Sequence, residues 1–402
     1  MMKKFLFLVL NGWMAFTLSA QSPDLLYVKG MAELLKGNLD NAIISLTDAI
    51  DHNNSDERYY LNRADAFLKL GKFSQALDDY EEANSILPGC GDLGIARTYA
   101  ATGDKKNAFQ YLTSHLRSGF RLPESALTKD PTLDPLKQTD EWLALWQQEW
   151  YDDFDKAKAE VEYLTRKKTP EMALDYLNPL MPAFQTKAEY FALRADLYMM
   201  EENYAAAVAD YSMALTLDKS EPEYYFNRGT AFLRSEKFKN ASDDFSKGLR
   251  LEPARFAFYL ERARAYAGLS DYKAAVSDAE FYLGYFPEDQ QAVSLCGELN
   301  YQNEDYINAL KCFNRNLRSD PNNPDYYKAR GKTYLKTKTY TYAISDLSMA
   351  LDLKPDDGET YLYLGLAKYE TGNKEEACSD LQKAQRFGNT LALKYSIEYC
   401  GK

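Results

Sequence analysis

The sequence predicts an all-α fold, a solenoid of stacked helix hairpins with a C-terminal capping helix. Three observations predict it. Alanine recurs every 34 residues at Ala173, Ala207, Ala241, Ala275, Ala309, Ala343 and Ala377. Small residues stand twelve positions ahead of such alanines at Gly30, Ala64, Ala96, Ala195, Gly229, Ala263, Gly297, Gly331 and Gly365. Large aromatics fill the intervals, among them Tyr198, Phe232, Tyr266 and Tyr334, and prolines close the periods at Pro88, Pro253, Pro287, Pro321 and Pro355. Each period therefore holds two amphipathic helices that approach closely where the small residues meet. Proline ends the second helix because it cannot continue the hydrogen-bond ladder. A single hairpin cannot bury its apolar face, so successive hairpins must stack.

The bulk composition fits a folded, water-exposed protein. Of 402 residues, 46% are hydrophobic and 27% charged, which is too apolar for disorder. A net charge of −12 and the absence of a long Lys/Arg run argue against nucleic acid as partner.

Taken in order, residues 1–20 read as a signal peptide. Lys3 and Lys4 precede an apolar stretch, and Ser19-Ala20 supplies small residues before a cut ahead of Gln21. No later run of 18 apolar residues follows, so no integral membrane segment is expected after signal removal. The expected destination is outside the cytoplasm, in the periplasm, on the cell surface or secreted.

Residues 21–115 form an N-terminal array of about three hairpins. Residues 116–153 break the period, because Pro123, Pro131 and Pro135 forbid a continuous helix. Within this linker Trp142, Trp146 and Trp150 fall four apart and are expected on one helical face. They read as a stripe packed against the neighbouring hairpin rather than as an aromatic binding patch. Residues 154–389 form a C-terminal array of about seven hairpins, the first degenerate, with Pro170 opening its second helix. Residues 390–402 supply the capping helix. Whether the arrays form one superhelix or two jointed lobes stays open.

One charge pattern is regular. Arg63, Arg194, Arg228, Arg262 and Arg330 share a place in their first helices, and Asp79, Asp210, Asp244, Asp278 and Asp346 follow sixteen residues later. The recurrence predicts an ion pair across each hairpin, part exposed and worth about 0–1 kcal/mol. In one hairpin Cys296 and Cys312 occupy those two places. In an exported chain that pair is a disulfide candidate, as is Cys378 with Cys400; two packed thiols are the alternative.

Catalytic and metal patterns are missing. His52 and His115 are the two histidines, no CxxC occurs, and no nucleophile elbow or phosphate-binding glycine loop is present. An enzyme is therefore not expected, nor a cofactor or metal.

The segment YYFNRGTAFLRSEKFKNASDDFSKGLRLEP at 224–253 resembles a tetratricopeptide repeat, as do residues 59–88 and 326–355. The whole resembles an exported bacterial protein built of these repeats. The resemblance implies a right-handed α-α superhelix whose first helices line a concave groove. It places Asp196, Phe226, Asn227, Thr230, Leu260, Arg264, Glu298, Lys328, Lys332 and Leu362 in that groove. Arg264, Lys328 and Lys332 make a modest basic patch suited to an acidic peptide. The carboxylate clamp of one subclass is absent, since Asn227 lacks its flanking basic partners. The expected function is a non-catalytic scaffold of the bacterial cell envelope that binds a protein or peptide. The alternative is an exported binder of glycans or small ligands, which the 32 tyrosines would allow by stacking.

Overall fold

The computed structural model describes residues 22–167 and 169–401, so the expected signal peptide lies outside the described residues. Every regular element among them is helical. The chain divides into two compact units, one running to Ala231 and including Lys247–Arg255, the other made of Phe232–Ser246 and Phe256 onward.

In the first unit, three hairpins come in succession: α1 (Pro23–Leu35) with α2 (Leu39–His52), α3 (Glu57–Lys69) with α4 (Phe73–Ile86), and α5 (Asp92–Thr102) with α6 (Lys105–Arg117). A short helix α7 (Glu124–Leu127), a 3-10 turn at Pro131–Leu136 and α8 (Asp140–Trp146) follow. Then come α9 (Asp153–Lys167), α10 (Pro170–Leu177), α11 (Met181–Phe184), and the hairpin α12 (Ala188–Met200) with α13 (Tyr204–Leu217). The division falls within α14 (Pro222–Arg234) and α15 (Phe238–Leu251). The second unit continues with α16 (Ala257–Gly268) and α17 (Tyr272–Tyr285), α18 (Gln290–Gln302) and α19 (Tyr306–Ser319), and α20 (Pro324–Lys336) and α21 (Tyr340–Leu353). It closes with α22 (Gly358–Glu370), α23 (Lys374–Arg386) and α24 (Leu391–Cys400).

The turn inside each hairpin follows one recipe. A residue with left-handed backbone ends the first helix: Gly37, Gly71, Gly103 and Gly372, but also Glu202, Ser270, Glu304 and Lys338. The next residue is the N-cap of the second helix, where Asp104, Asn203, Asp271 and Asp305 each accept the backbone N–H of the third helical residue. The recurring alanines are fully buried, as at Ala42, Ala207, Ala309 and Ala377. At Gly331 a Cβ would stand 2.8 Å from Leu347 Cγ, which shows why only the smallest residues let these helices meet.

The recurring arginines do more than pair across the hairpin. Arg330 donates from Nε and Nη2 to both oxygens of Asp346 at 2.6 and 2.7 Å, and from Nη1 to Asn314 of the preceding hairpin at 2.6 Å. Arg63 does the same with Asp79 and Thr47, and Arg262 with Asp278 and Ser246. Arg194 joins Asp210 and Asn178 in the first unit. Each guanidinium thus holds three helices, taking one partner sixteen residues ahead and another sixteen behind. The part-exposed expectation holds for the arginine side chains, which keep 16–20% exposure, but not for the aspartates: Asp79, Asp210, Asp278 and Asp346 are only 6–7% exposed. Burial is the reason, and it raises the Asp79 pKa even against the Arg63 hydrogen bonds.

The linker also departs from its expected form. α8 ends at Trp146, so Trp150 lies past the helix and its indole N–H turns back to donate to the Leu145 carbonyl at 2.7 Å. The three tryptophans therefore share no helical face. They do share a core, in which buried Trp142 packs with Leu112, Leu133 and Leu136, and Trp146 and Trp150 lie against it.

His115, at the end of α6, is 3% exposed, and its Nε2 accepts the N–H of Leu122 in the linker. Burial pushes its pKa down to about 4. The unfolded chain, with an ordinary value of 6.5, takes up a proton first as pH falls. Stability is therefore whole above that value and drains between it and the native one. Going from pH 7.5 to pH 5 is expected to cost the first unit about 2 kcal/mol. Urea unfolding of wild type and His115→Asn at both pH values checks this; an equal pH-dependence in the two proteins would refute it.

Candidate functional site

Ten first-helix residues are expected to line a groove; nine fall on two stripes four residues apart, and Asn227, one place past Phe226, lies on neither. The first stripe holds the part-buried Lys328 together with Phe226, Leu260 and Leu362, and these last three are 0%, 9% and 3% exposed. They are core residues rather than groove residues, because this stripe faces other helices of the solenoid and buries whatever apolar side chain it carries. Asp196, Thr230, Arg264, Glu298 and Lys332 belong to the second stripe and are half-buried or exposed.

In the first unit this surface is already engaged. Asp196 accepts the Tyr211 hydroxyl and, at 3.5 Å, the Asn227 amide. Thr230 donates to the Phe226 carbonyl at 2.9 Å.

The second unit is different. A cavity of about 560 Å³ opens among α16, α17, α18, α19 and α20. Its apolar lining comes from Ala267, Leu295, Leu299, Phe313 and Ala329, with Tyr272 and Tyr301 at the sides. Its polar lining is Glu298, Gln302, Asp325, Lys328 and Lys332. Sequence reading placed three of these, Glu298, Lys328 and Lys332, and missed the apolar floor. Leu295 and Leu299 carry the helical spacing of ordinary core residues, so no local signal marks them as cavity-lining.

The lysines are not free. Lys328 Nζ lies 3.0 Å from Asp357, 3.3 Å from Asp325 and 3.4 Å from Glu359. Lys332 Nζ lies 3.0 Å from Glu359 and stands over the Tyr363 ring at 4.8 Å. Burial works against the charge on both lysines, yet the hydrogen bonds they donate to Asp357 and Glu359 hold their pKa values above the ordinary one. Arg264 is held by Glu261 at 2.5 Å. Three cations thus meet five carboxylates: Glu261, Glu298, Asp325, Asp357 and Glu359. The basic patch expected from Arg264, Lys328 and Lys332 is corrected to a surface of net negative charge. The reason is that Asp357 and Glu359 reach it from the next hairpin.

Glu298 is the one carboxylate of this group for which no hydrogen bond or ion pair is formed among the described residues. Loss of water beside the apolar floor raises its pKa, opposed by the charges of Lys332 and Arg264. An apolar floor with an unpaired carboxylate at its rim can receive a hydrophobic side chain flanked by a cation.

Cysteine chemistry splits in two. Cys378 on α23 and Cys400 on α24 form a disulfide with Cα atoms 5.8 Å apart. Cys296 on α18 and Cys312 on α19 are free thiols, as is Cys90. Among the described residues no group of three His, Cys, Asp or Glu is placed to hold a metal ion, and no helix is long and apolar enough to cross a membrane.

Models of the tetratricopeptide repeat match residues 57–89 and the overlapping stretches 226–280, 260–324 and 297–358. These stretches of the chain are tetratricopeptide repeats. The Dictyostelium discoideum STIP1 homolog is 35% identical over 81 residues, which is 20% of this repeat protein and 14% of that one. The small glutamine-rich tetratricopeptide repeat-containing protein 2 of Saccharomyces cerevisiae is 29% identical over 113 residues, covering 26% of this chain and 33% of the other. This chain therefore spans well under two thirds of either relative. The C-terminal part of a repeat protein from Cytophaga hutchinsonii superposes with a TM-score of 0.50 at 15% identity, covering 59% of this chain and 98% of that one. At that identity the likeness speaks for the fold alone. Tetratricopeptide repeats generally mediate protein–protein interactions.

Proposed function

We propose that this tetratricopeptide-repeat protein is a non-catalytic scaffold of the bacterial cell envelope, exported by its N-terminal signal. It binds a peptide segment of a partner protein in the cavity on the first-helix face of the second unit. The observation that carries this reading is the cavity itself, which joins an apolar floor at Leu295, Leu299 and Phe313 to the unpaired Glu298. The partner segment places an apolar side chain on that floor and a lysine or arginine against Glu298. The surrounding excess of carboxylates favours a basic segment and disfavours the acidic one that the sequence suggested.

Peptide display selected on the full chain tests this. Enriched peptides are expected to pair an apolar residue with a nearby Lys or Arg. Glu298→Lys is expected to weaken them about tenfold, near 1.4 kcal/mol. Selection of acidic peptides, or peptides indifferent to Glu298→Lys, would overturn the assignment.

A further inference from the structure

The hairpin α18–α19 lacks the guanidinium staple described above. Cys296 stands where the arginine would be, and Cys312 where the aspartate would be. The two thiols lie in one apolar cluster, Cys296 within it and Cys312 packed against it. Cys296 is buried at 3% exposure in the core beside Leu260 and Leu299, and the Asn300 amide donates to its sulfur at 3.3 Å. Cys312 is half-buried and reachable from solvent. One thiol is thus accessible and the other is buried on the facing helix of the same hairpin, which is the arrangement of an attacking and a resolving cysteine.

We propose that Cys312 and Cys296 form a thiol–disulfide exchange site that reacts with low-molecular-weight disulfides and closes to an intrachain bond. The Cys312 thiolate attacks one sulfur of the small disulfide, forming a mixed disulfide and expelling one small thiolate. Cys296 then attacks Cys312 Sγ and expels the second small thiolate, which takes up the proton that Cys296 gives up. The small disulfide is reduced by two electrons, and the cysteine pair is oxidised by two. The electrostatics favour this order. The neighbouring Cys296 thiol lowers the Cys312 pKa against its burial, with Arg315 and Lys311 assisting. The nearness of Cys312, together with burial, raises that of Cys296.

The site adjoins the cavity. Leu295 and Leu299 flank Cys296 on α18, and Phe313 follows Cys312 on α19. A covalent tie there fixes both walls of the floor, a consequence that rests on the groove reading.

Oxidised glutathione, added to the folded full chain and followed by peptide mass spectrometry, tests the chemistry without any groove ligand. The two readings therefore fail separately. The expected product is a Cys296–Cys312 linked peptide. Cys90 is part-buried too, but burial pushes its pKa up to about 11, so Cys312 should react at least about tenfold faster. Cys296→Ser is expected to retain one glutathione on Cys312, and Cys312→Ser to leave Cys296 unmodified over the same time. Wild type with both thiols intact after Cys90 has reacted would overturn the proposal. So would Cys296 reacting in Cys312→Ser as fast as Cys312 does in wild type.

Discussion

Arg330→Ala is expected to lower the stability of the second unit by about 3 kcal/mol. The carboxylate left behind, Asp346, is 6% exposed and would lose both guanidinium hydrogen bonds. Asn314 on the preceding hairpin would lose its donor as well. A buried carboxylate without its cation costs far more than a surface ion pair gains, because water cannot replace what was removed. The double variant Arg330→Leu with Asp346→Leu is therefore expected to recover most of the loss. Urea unfolding of Arg330→Leu, Asp346→Leu and the double variant gives the coupling directly. A loss under about 1 kcal/mol for Arg330→Ala would mean that the pair behaves as an exposed one.

The second large effect concerns the C-terminal cap. The disulfide between Cys378 and Cys400 closes a loop with a sequence separation of 22. By loop-closure entropy its removal in Cys400→Ser should cost about 3 kcal/mol. The loss should be local in character. α24 retains buried Ala392 and the stacking of Tyr399 on Tyr369 at 3.9 Å, so it is expected to stay docked but open more often. Hydrogen exchange across residues 391–400 should speed up in Cys400→Ser while the amides of α20 and α21 keep their protection. Unchanged exchange at the cap would show that packing alone holds it.

The cap matters because α24 covers the open end of the last hairpin. It buries Leu381 and Ala384 of α23 through contacts that include Ala392 and Tyr395. A terminal hairpin without such cover leaves an apolar face wet.

Period, small residues and charge spacing made the hairpins legible in the sequence. Helix pairing is a local matter: each first helix is joined to its second by a turn whose left-handed residue and capping side chain lie within a few positions. The places of Gly331 and Ala343, and of Arg330 and Asp346, could be read from recurrence alone, because a repeated architecture imposes the same contact at the same spacing.

Tertiary structure decided the rest. Two stripes four residues apart on one helix differ by only about 40° around its axis, so periodicity could not tell the buried stripe of Phe226, Leu260 and Leu362 from the open one of Glu298 and Lys332. Only the neighbouring hairpins settle which stripe is covered. Asp357 and Glu359, from the next hairpin, likewise turn an apparent basic patch into an acidic surface with one unpaired carboxylate. The depth of the aspartates, the turn of Trp150 off its helix and the thiol pair that replaces a staple have the same origin. Burial and electrostatic neutralisation are set by what packs from outside the segment, and a helix's own sequence records only which faces it offers.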